Sequence, residues 1–247
     1  MLLKNKTAII TGCNKGIGKE ILKIFSENGA KVFACVRKID EKFNTEITNL
    51  KSKNKSEIIP LGFDLLNEDE LKEAAKKILS LSEKIDILVN NAGAIETALF
   101  QMMSSKKLKE IFEVNFFSQI ILTQFILKSM IKNKSGSIIN ISSISGLDAN
   151  VGRSAYSASK SALISQSKVL SKEVGGHNVR VNCIAPGLVN TDMLNKNTTP
   201  ETIDKMIQNI SLGRIANPID IANVVLFLSS DLSQYITGQV IRVDGGI

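Results

Sequence analysis

Tyr156 and Lys160 are the two residues whose types and spacing most directly suggest chemistry. They lie four positions apart in a segment with helical periodicity, so their side chains share one face of a helix. A tyrosine, with an ordinary pKa of about 10, is a useful acid near neutral pH only if its phenolate is stabilised. A neighbouring ammonium group supplies that stabilisation. The pair therefore predicts a proton donor, although a packed tyrosine and a solvated lysine would have the same spacing.

A second group of residues with possible chemistry follows the first predicted strand. It is a turn with the glycine spacing G-x-x-x-G-x-G, made of Gly12, Asn14, Lys15, Gly16, Ile17 and Gly18 around Cys13. Glycines allow the backbone to turn tightly and to approach a phosphate, whose charge the N-terminus of the next helix would meet. Such turns also carry glycine for conformational reasons alone, so this cluster by itself is weak evidence for a nucleotide site.

Strand-like and helix-like patterns alternate along the chain and must position these residues. Strands are predicted at residues 7–11, 31–36, 57–64, 85–90, 137–141, 179–185 and 240–243, and long helices at 106–132 and 155–173. Short apolar strands that alternate with amphipathic helices are typical of a parallel sheet covered on both faces. We therefore expect an α/β fold, a doubly wound Rossmann-like parallel sheet of about seven strands with helices on both faces. The pattern predicts a single domain spanning residues 1–247.

Ligands of such sheets bind outside the carboxyl ends of the strands, near the point where the strand order reverses. The candidate motifs all follow predicted strands: the glycine turn, Asn90-Asn91-Ala92-Gly93, Ser143, and Pro186-Gly187. This shared position predicts one composite site.

Taken in order, these motifs resemble those of the short-chain dehydrogenase/reductase family, and the similarity extends along the whole chain. Asn115 lies where the family has a catalytic asparagine, Ser143 stands thirteen residues before Tyr156, and Tyr156 and Lys160 match its Y-x-x-x-K motif. The resemblance implies the same fold and the reduction of a ketone to a secondary alcohol. Any one motif could arise by chance, whereas the ordered set is specific.

The family resemblance also implies a role for each catalytic residue. The nicotinamide supplies a hydride, Tyr156 supplies the proton, and Ser143 donates a hydrogen bond to the substrate oxygen. Lys160, together with the cationic ring of the oxidised cofactor, lowers the pKa of Tyr156, and it holds the nicotinamide ribose. Asn115 supports a water relay to Lys160. On the sequence alone, Asn115 could instead cap an interruption of its helix, and two other serines compete with Ser143, namely Ser142 and Ser145.

The second strand predicts which nicotinamide cofactor is bound. NAD enzymes carry an acidic residue about 20 positions beyond the glycine turn, where it binds the adenosine ribose. By resemblance Val36 occupies that position, Arg37 follows it, and Lys15 offers a second cation for a 2′-phosphate. We therefore expect NADPH/NADP⁺, although Asp40 could swing back to bind a ribose. The residues implied for the cofactor are Gly12, Asn14, Lys15, Gly16, Ile17, Gly18, Arg37, Asp64 (at the adenine), Asn91, Ala92, Gly93, Tyr156, Lys160, Pro186, Gly187, Val189 and Thr191.

The tail at residues 212–246 is similar to that of family members that reduce 3-oxoacyl (β-ketoacyl) thioesters on acyl carrier protein. In those enzymes basic residues beside the site dock the acidic carrier. Lys134 matches one such position, but His177 stands where an arginine is expected, and Ala155 replaces an asparagine before the tyrosine. A sugar, polyol or other small carbonyl compound is therefore the alternative substrate. Residues 188–200, rich in Asn and Thr, predict a mobile lid over the substrate.

Composition narrows the remaining classes. One histidine and three widely spaced cysteines predict neither a metal site nor a disulfide framework, and a Ser-His-Asp hydrolase would have to use His177. No apolar run approaches the ~20 residues of a membrane span, and no signal peptide precedes the first strand. The net charge of +7 is spread along the chain, which disfavours nucleic acid as a partner. We expect a cytoplasmic enzyme without a membrane partner and, from the family, a homotetramer or a homodimer.

Overall fold

The computed structural model describes the backbone of residues 1–247 and every side chain except that of Lys196. Within it, seven strands form one parallel sheet in the order β3-β2-β1-β4-β5-β6-β7. The strands are β1 (Thr7–Thr11), β2 (Lys31–Val36), β3 (Ile58–Gly62), β4 (Ile87–Asn90), β5 (Gly136–Ile141), β6 (Val179–Pro186) and β7 (Val240–Val243).

Helices connect consecutive strands and cover both faces of the sheet. They are α1 (Gly16–Glu27), α2 (Glu41–Asn54), α3 (Glu68–Leu81), α4 (Ser105–Phe112), α5 (Ser118–Lys132), α6 (Ser145–Asp148), α7 (Ser154–Val174), α8 (Asp192–Asn197), α9 (Pro200–Ile207) and α10 (Pro218–Ser229). The predicted α/β class and the doubly wound parallel sheet are confirmed.

Alternation along β1 shows how the sequence builds two cores. Ala8 and Ile10 face a cluster that contains Phe25 of α1, whereas Ile9 faces the opposite cluster, which contains Leu71 of α3. Successive strand residues point to opposite faces, so a strand buried on both sides must be apolar throughout. Each of these side chains is at most 1% exposed, and burial of a large apolar side chain contributes roughly 1.5–3 kcal/mol.

The strand order reverses between β1 and β4, where chain connections leave toward opposite edges of the sheet. This arrangement opens a crevice at the carboxyl ends of these two strands. The glycine turn lies directly after β1, and Asn91 directly after β4. The fold therefore brings together the first two motifs that the sequence places far apart.

Four predicted elements differ from the structure. The helix predicted over residues 106–132 is interrupted by a π-helical turn at Glu113–Phe117, which separates α4 from α5. The predicted strand at 57–64 shortens to β3, because pairing with β2 ends at Val36 opposite Gly62. The predicted strand at 85–90 begins at Ile87, as β4. Residues 188–200, predicted as a mobile lid, contain α8 and the start of α9, and their mobility stays a prediction.

The continuous helical segment Ser105–Lys132 is the one described segment that is long and apolar enough to cross a membrane, with 28 residues and a mean hydropathy of 1.3 in its most apolar window. Its buried side chains include Leu122, Ile126 and Met130, which pack with the sheet residues Leu88 and Ile138. A helix that packs in this way serves as a core helix of the α/β fold.

Candidate active site

One cavity of about 770 Å³ lies at the carboxyl ends of the strands, within the size range of small-molecule sites. Ser143 lines it, and so does every residue implied for the cofactor: Gly12, Asn14, Lys15, Gly16, Ile17, Gly18, Arg37, Asp64, Asn91, Ala92, Gly93, Tyr156, Lys160, Pro186, Gly187, Val189 and Thr191. Asn115 is not among the lining residues described, although its neighbour Val114 is.

The glycine turn is shaped to hold a phosphate. Gly12 has a φ of +69°, and a Cβ on Gly18 would overlap the carbonyl oxygen of Gly12. Helix α1 begins after Lys15 without a side-chain hydrogen bond to its first amides, and its first turn carries no acidic residue. A helix start with these properties attracts an anion through its free N–H groups and its dipole. The turn therefore fits the pyrophosphate of a dinucleotide.

Thr11 and Asn91 lock the ends of β1 and β4 together. The Thr11 hydroxyl oxygen accepts hydrogen bonds from the backbone N–H groups of Asn91 and Ala92, each at 3.0 Å. Asn91 Nδ2 donates to the carbonyl oxygens of Thr11 and Gly12, at 2.9 and 3.1 Å. Sequence reasoning did not predict that Thr11 joins the ends of β1 and β4. The signal that could have indicated it is a hydroxyl residue directly before the glycine turn.

Tyr156, Lys160 and Ser143 meet at the other end of the cavity. Lys160 Nζ lies 5.9 Å from the centre of the Tyr156 ring and donates a 2.7 Å hydrogen bond to the carbonyl of Ile141. Ser143 Oγ accepts a hydrogen bond from the Ser145 backbone N–H at 3.1 Å, which leaves its own proton available to Tyr156 or to a substrate oxygen. The geometry places a phenol, an ammonium and a hydroxyl donor around one point.

The structure also separates Ser143 from one of its competitors. Ser142 is buried, and its hydroxyl donates to the Lys160 carbonyl oxygen at 3.0 Å. Ser142 therefore fixes helix α7 against the end of β5, while Ser145 begins helix α6.

Burial sets the protonation of the phenol and the amine. Desolvation lowers the pKa of Lys160 to about 8, and it raises the pKa of Tyr156 above its usual value of 10.0. A hydrogen bond from Ser143 and the charge of Arg153 oppose the rise for Tyr156. In the protein without a cofactor, burial is the largest influence on the pKa of Tyr156, and a lowering of that pKa by Lys160 together with the oxidised cofactor stays a prediction. At neutral pH Tyr156 is therefore protonated, which is the state that a proton donor needs.

Asn115 occupies the π-helical turn and uses both ends of its side chain on the protein. Its Oδ1 accepts from the Ala94 N–H at 2.7 Å, and its Nδ2 donates to the Ala94 carbonyl at 2.9 Å and to Ser159 Oγ at 3.0 Å. A Cβ on Gly93 would lie 3.4 Å from Asn115 Oδ1 and 3.6 Å from Lys160 Nζ. Through its side chain, Asn115 positions the Gly93–Ala94 backbone beside Lys160, and its expected part in a water relay to Lys160 stays a prediction.

The opposite end of the cavity carries cations. Arg37 and Lys15 are both exposed and line it, as does Val36 at the end of β2. Asp40, the alternative ribose ligand, is not among the lining residues described, and its carboxylate caps helix α2 by accepting from the Phe43 N–H at 2.8 Å. Asp64, which follows β3 in the chain, also lines the cavity, and its Oδ1 accepts a hydrogen bond from the Leu66 N–H at 3.0 Å.

A family profile described as "Enoyl-(Acyl carrier protein) reductase" matches residues 12–247. The chain belongs to the short-chain dehydrogenase/reductase family. It is 40% identical to the 3-oxoacyl-[acyl-carrier-protein] reductase FabG of Chlamydia muridarum, over 100% of this chain and 98% of the relative. It is 37% identical to the protein of the same name from Thermotoga maritima, over 100% and 99%.

Two solved structures extend the similarity of this short-chain dehydrogenase/reductase. A protein named as an NAD(P)-dependent gluconate 5-dehydrogenase from Beutenbergia cavernae, with bound NADP, is 30% identical with a TM-score of 0.93, over 99% of this chain and 97% of the other. A 7α-hydroxysteroid dehydrogenase in complex with NADH and 7-oxo glycochenodeoxycholic acid is 35% identical with a TM-score of 0.94, over 99% and 94%. The predicted family is confirmed, and the chain is an oxidoreductase.

Lys134 and His177, expected beside the site, lie elsewhere in this short-chain dehydrogenase/reductase. Lys134 precedes β5 and His177 precedes β6, and these strands run parallel with Gly136 opposite Val179. Ser143 follows the other end of β5. Six residues of strand span about 20 Å. Both side chains therefore lie near the N-terminal ends of β5 and β6, whereas the cavity of the same chain lies at the carboxyl ends.

Arg153 is a cavity residue that sequence reasoning missed. It is half-buried, lines the cavity and lies three residues before Tyr156, one helical turn away. The signal that could have found it is a cation on the same helical face as the proposed proton donor.

Proposed function

We propose that this protein reduces a ketone to a secondary alcohol with NADPH, and that the ketone is a 3-oxoacyl thioester carried by acyl carrier protein. The observation that carries the proposal is the meeting of Ser143, Tyr156 and Lys160 in the same cavity as the phosphate-binding turn. The relatives named as 3-oxoacyl-[acyl-carrier-protein] reductases match this chain from end to end, which supports the choice of substrate.

Each residue has a distinct task in the proposed reaction. When bound, NADPH supplies the hydride to the carbonyl carbon. Ser143 donates its free proton in a hydrogen bond to the carbonyl oxygen, and Tyr156 transfers a proton to that oxygen. Lys160 holds the ribose beside the nicotinamide, and its charge balances the phenolate that remains. Asn115 positions the backbone next to Lys160.

The choice of NADPH follows from charge at the adenosine end. Val36 leaves the position of the ribose-binding carboxylate apolar, and Arg37 and Lys15 provide two cations along the same wall. A guanidinium pairs with a phosphate through two parallel hydrogen bonds, so Arg37 is the proposed ligand of the 2′-phosphate. Because Asp40 is occupied as a helix cap, it does not compete for the ribose.

A docked carrier protein requires a second subunit in this proposal. Lys134 and His177 lie at the N-terminal ends of the strands, away from the cavity of their own subunit. A carrier protein bound there would deliver its substrate to the cavity of a neighbouring subunit. We propose a cytoplasmic homotetramer, or a homodimer, built on the long helices. Exposed apolar side chains beside and on these helices support the proposed oligomer: Phe117, directly before α5, is 49% exposed, and Val169 of α7 is 54% exposed.

A second candidate substrate is a small sugar- or polyol-derived carbonyl compound. It is favoured by the match to the protein named as a gluconate 5-dehydrogenase, which covers 99% of this chain. Reduction of keto-sugars, with no reduction of acyl thioesters, would select this candidate.

The first test is the replacement of Tyr156 by Phe in an assay that follows NADPH oxidation with an acetoacetyl thioester. We expect the rate to fall roughly 10²- to 10⁴-fold, because the proton donor is lost while the ring is kept. The chain contains one other tyrosine, Tyr235, which is fully exposed, so Tyr235→Phe is the matched control and is expected to retain wild-type activity. Full activity of the Tyr156→Phe protein would overturn the mechanism.

A further inference from the structure

Arg153 is a cation in the cavity wall with no anion to match it. Its Nη1 is buried and has no hydrogen-bond partner among the described residues. Its Nη2 donates one long hydrogen bond of 3.4 Å to the carbonyl oxygen of Asn197, at the end of α8. A guanidinium presents five donors, so most of its binding capacity is unused by the protein.

The surroundings of Arg153 do not neutralise its charge. Burial lowers its pKa, and the one group that opposes this is Tyr156. No carboxylate of the described residues forms an ion pair with it. A guanidinium remains protonated under all physiological conditions, so its buried donors need acceptor oxygens from water or from a ligand in the cavity.

The other charges of the cavity lie away from Arg153 or are already engaged. Lys15, Arg37 and Asp64 belong to the adenosine end, and Lys160 donates to Ile141. Asp192 begins α8 directly after Thr191, whose methyl group lies beside Gly16 of the phosphate turn. Arg153 contacts the opposite end of α8, about 7 Å farther along the helix axis. At the ketone end, Arg153 is therefore the cation whose donors the protein leaves least engaged.

We propose that Arg153 binds a carboxylate of the substrate, so that short 3-oxo acids are accepted as free acids. This inference rests on the proposed ketone reduction and adds a substrate class to it. Arg153 directly precedes α7, Tyr156 is the third residue of that helix, and both line the cavity, so the two side chains can contact neighbouring groups of one small molecule. In a 3-oxo acid the carboxyl carbon is two bonds from the ketone carbon. The ketone then faces Tyr156 while the carboxylate faces Arg153.

The proposed reaction is balanced without any further reagent. A hydride from NADPH forms the new C–H bond at the ketone carbon, and the proton of Tyr156 forms the O–H bond, which leaves a 3-hydroxy acid and NADP⁺. Solvent returns a proton to Tyr156. The carboxylate is unchanged and serves only to anchor the substrate, through paired hydrogen bonds to the guanidinium.

A neutral thioester and a free acid would use this site differently. The thioester carbonyl occupies the same position two bonds from the ketone, but it offers one uncharged acceptor. Hydrogen bonds to charged groups are stronger than neutral ones, and a carboxylate also neutralises the guanidinium. Loss of Arg153 is therefore expected to affect the free acid much more than the thioester.

The test compares acetoacetate with acetoacetyl-N-acetylcysteamine, a neutral thioester, on wild-type protein and on Arg153→Gln. We expect KM for acetoacetate, and Kd for acetoacetate measured by calorimetry on the complex with NADP⁺, to rise roughly 10- to 100-fold in the variant. KM for the thioester should change less than about threefold, because a neutral acceptor gains little from a cation. Arg153→Lys should recover part of the loss in acetoacetate binding.

The matched control is Arg214→Gln, since Arg214 is exposed, pairs with Asp220 and does not line the cavity. It should leave both substrates unaffected. Equal losses for acetoacetate and thioester in Arg153→Gln would indicate a structural role and overturn the inference. So would the absence of acetoacetate binding to the wild-type protein, even if the thioester were reduced. Binding of acetoacetate without turnover of either compound would overturn the proposed function and leave the anion site standing.

Discussion

The two ends of the cavity are built from different parts of the chain. At the phosphate end the binding surface is backbone, shaped by Gly12 and Gly18 and held by hydrogen bonds that Asn91 Nδ2 and the Ala92 N–H donate to Thr11. At the ketone end the working groups are side chains, and two of them are buried: Lys160 is 3% exposed and Ser143 8% exposed. One end therefore depends on steric fit, and the other depends on the cost of desolvating charge.

This difference predicts two kinds of failure. A substitution at the phosphate end should act through a clash, so its effect should be large and nearly independent of pH. A substitution at the ketone end should change the protonation of its neighbours, so its effect should appear in the pH profile. The predictions below test this contrast.

The largest effect is expected from Gly18→Ala. The new Cβ would overlap the backbone carbonyl oxygen of Gly12, and it would crowd Asn91 Nδ2, which hydrogen bonds to the carbonyls of Thr11 and Gly12 hold in place. We expect loss of measurable NADPH binding and a fall of about 3 kcal/mol in the free energy of unfolding, as for an overpacked site.

Gly175→Ala is the matched control for the Gly18 variant. Nothing lies within 4 Å of a Cβ at Gly175, and its φ of −56° suits any residue. Calorimetric titration with NADPH and chemical denaturation measure the two effects. If Gly18→Ala bound NADPH with wild-type affinity, the backbone account of this end would fail.

An intermediate effect is expected from Lys160→Met, and it should depend on pH. Burial lowers the pKa of Lys160 to about 8, so the ammonium is present below that pH and is lost as the pH rises through it. Tyr156 has a raised pKa and stays protonated over the same range. Wild-type reduction should therefore decline above about pH 8, whereas the variant should be slower by roughly 10²- to 10³-fold at neutral pH and should lack this step.

The control for Lys160→Met is Lys168→Met, an exposed lysine on the same helix. Its rate and its pH profile should match those of the wild type. Persistence of the decline near pH 8 in the Lys160→Met protein would assign the titration to another group.

The smallest effect is expected from Val36→Asp, which restores a carboxylate at the position of the missing ribose ligand. Repulsion from the 2′-phosphate should lower the preference for NADPH over NADH by about tenfold, with little change in the rate with NADH. Val36→Asn has the same shape without the charge and should shift the preference less. Steady-state kinetics with both cofactors measure it, and an unchanged ratio would remove Val36 from the choice of cofactor.

The sequence predicted the sheet, its strands and the order of the motifs closely, because the central strands β1, β2 and β4 are buried on both faces and are mostly apolar. It did not predict the π-helical turn at Glu113–Phe117, since its residues continue the apolar pattern of the helices on either side. The sequence also could not show that the hydroxyl of Ser142, and not that of Ser143, is hydrogen-bonded to the backbone of helix α7. Hydrogen-bond partners distant in sequence decide such questions.

Arg153 and the pair Lys134 and His177 also show that the sequence does not reveal the spatial surroundings of a residue. On the sequence, Arg153 is one more cation near a helix start, and only the packing of α8 against it reveals an enclosed guanidinium. Lys134 and His177 match motif positions, yet the direction of β5 and β6 places them across the sheet from the cavity. The spacing of residues along the chain does not show at which end of the strands a residue lies in the folded sheet.

The sequence by itself determined the family, the parallel α/β fold and the residues that meet at the carboxyl ends of the strands, because glycine spacing, strand burial and helical periodicity are local properties. Only the tertiary structure decided which groups are desolvated. It raised the pKa of Tyr156, lowered the pKa of Lys160 and set the hydrogen-bond partners of Asn115. The physical reason is that protonation and hydrogen bonding depend on neighbours in space, which folding brings together from distant parts of the chain.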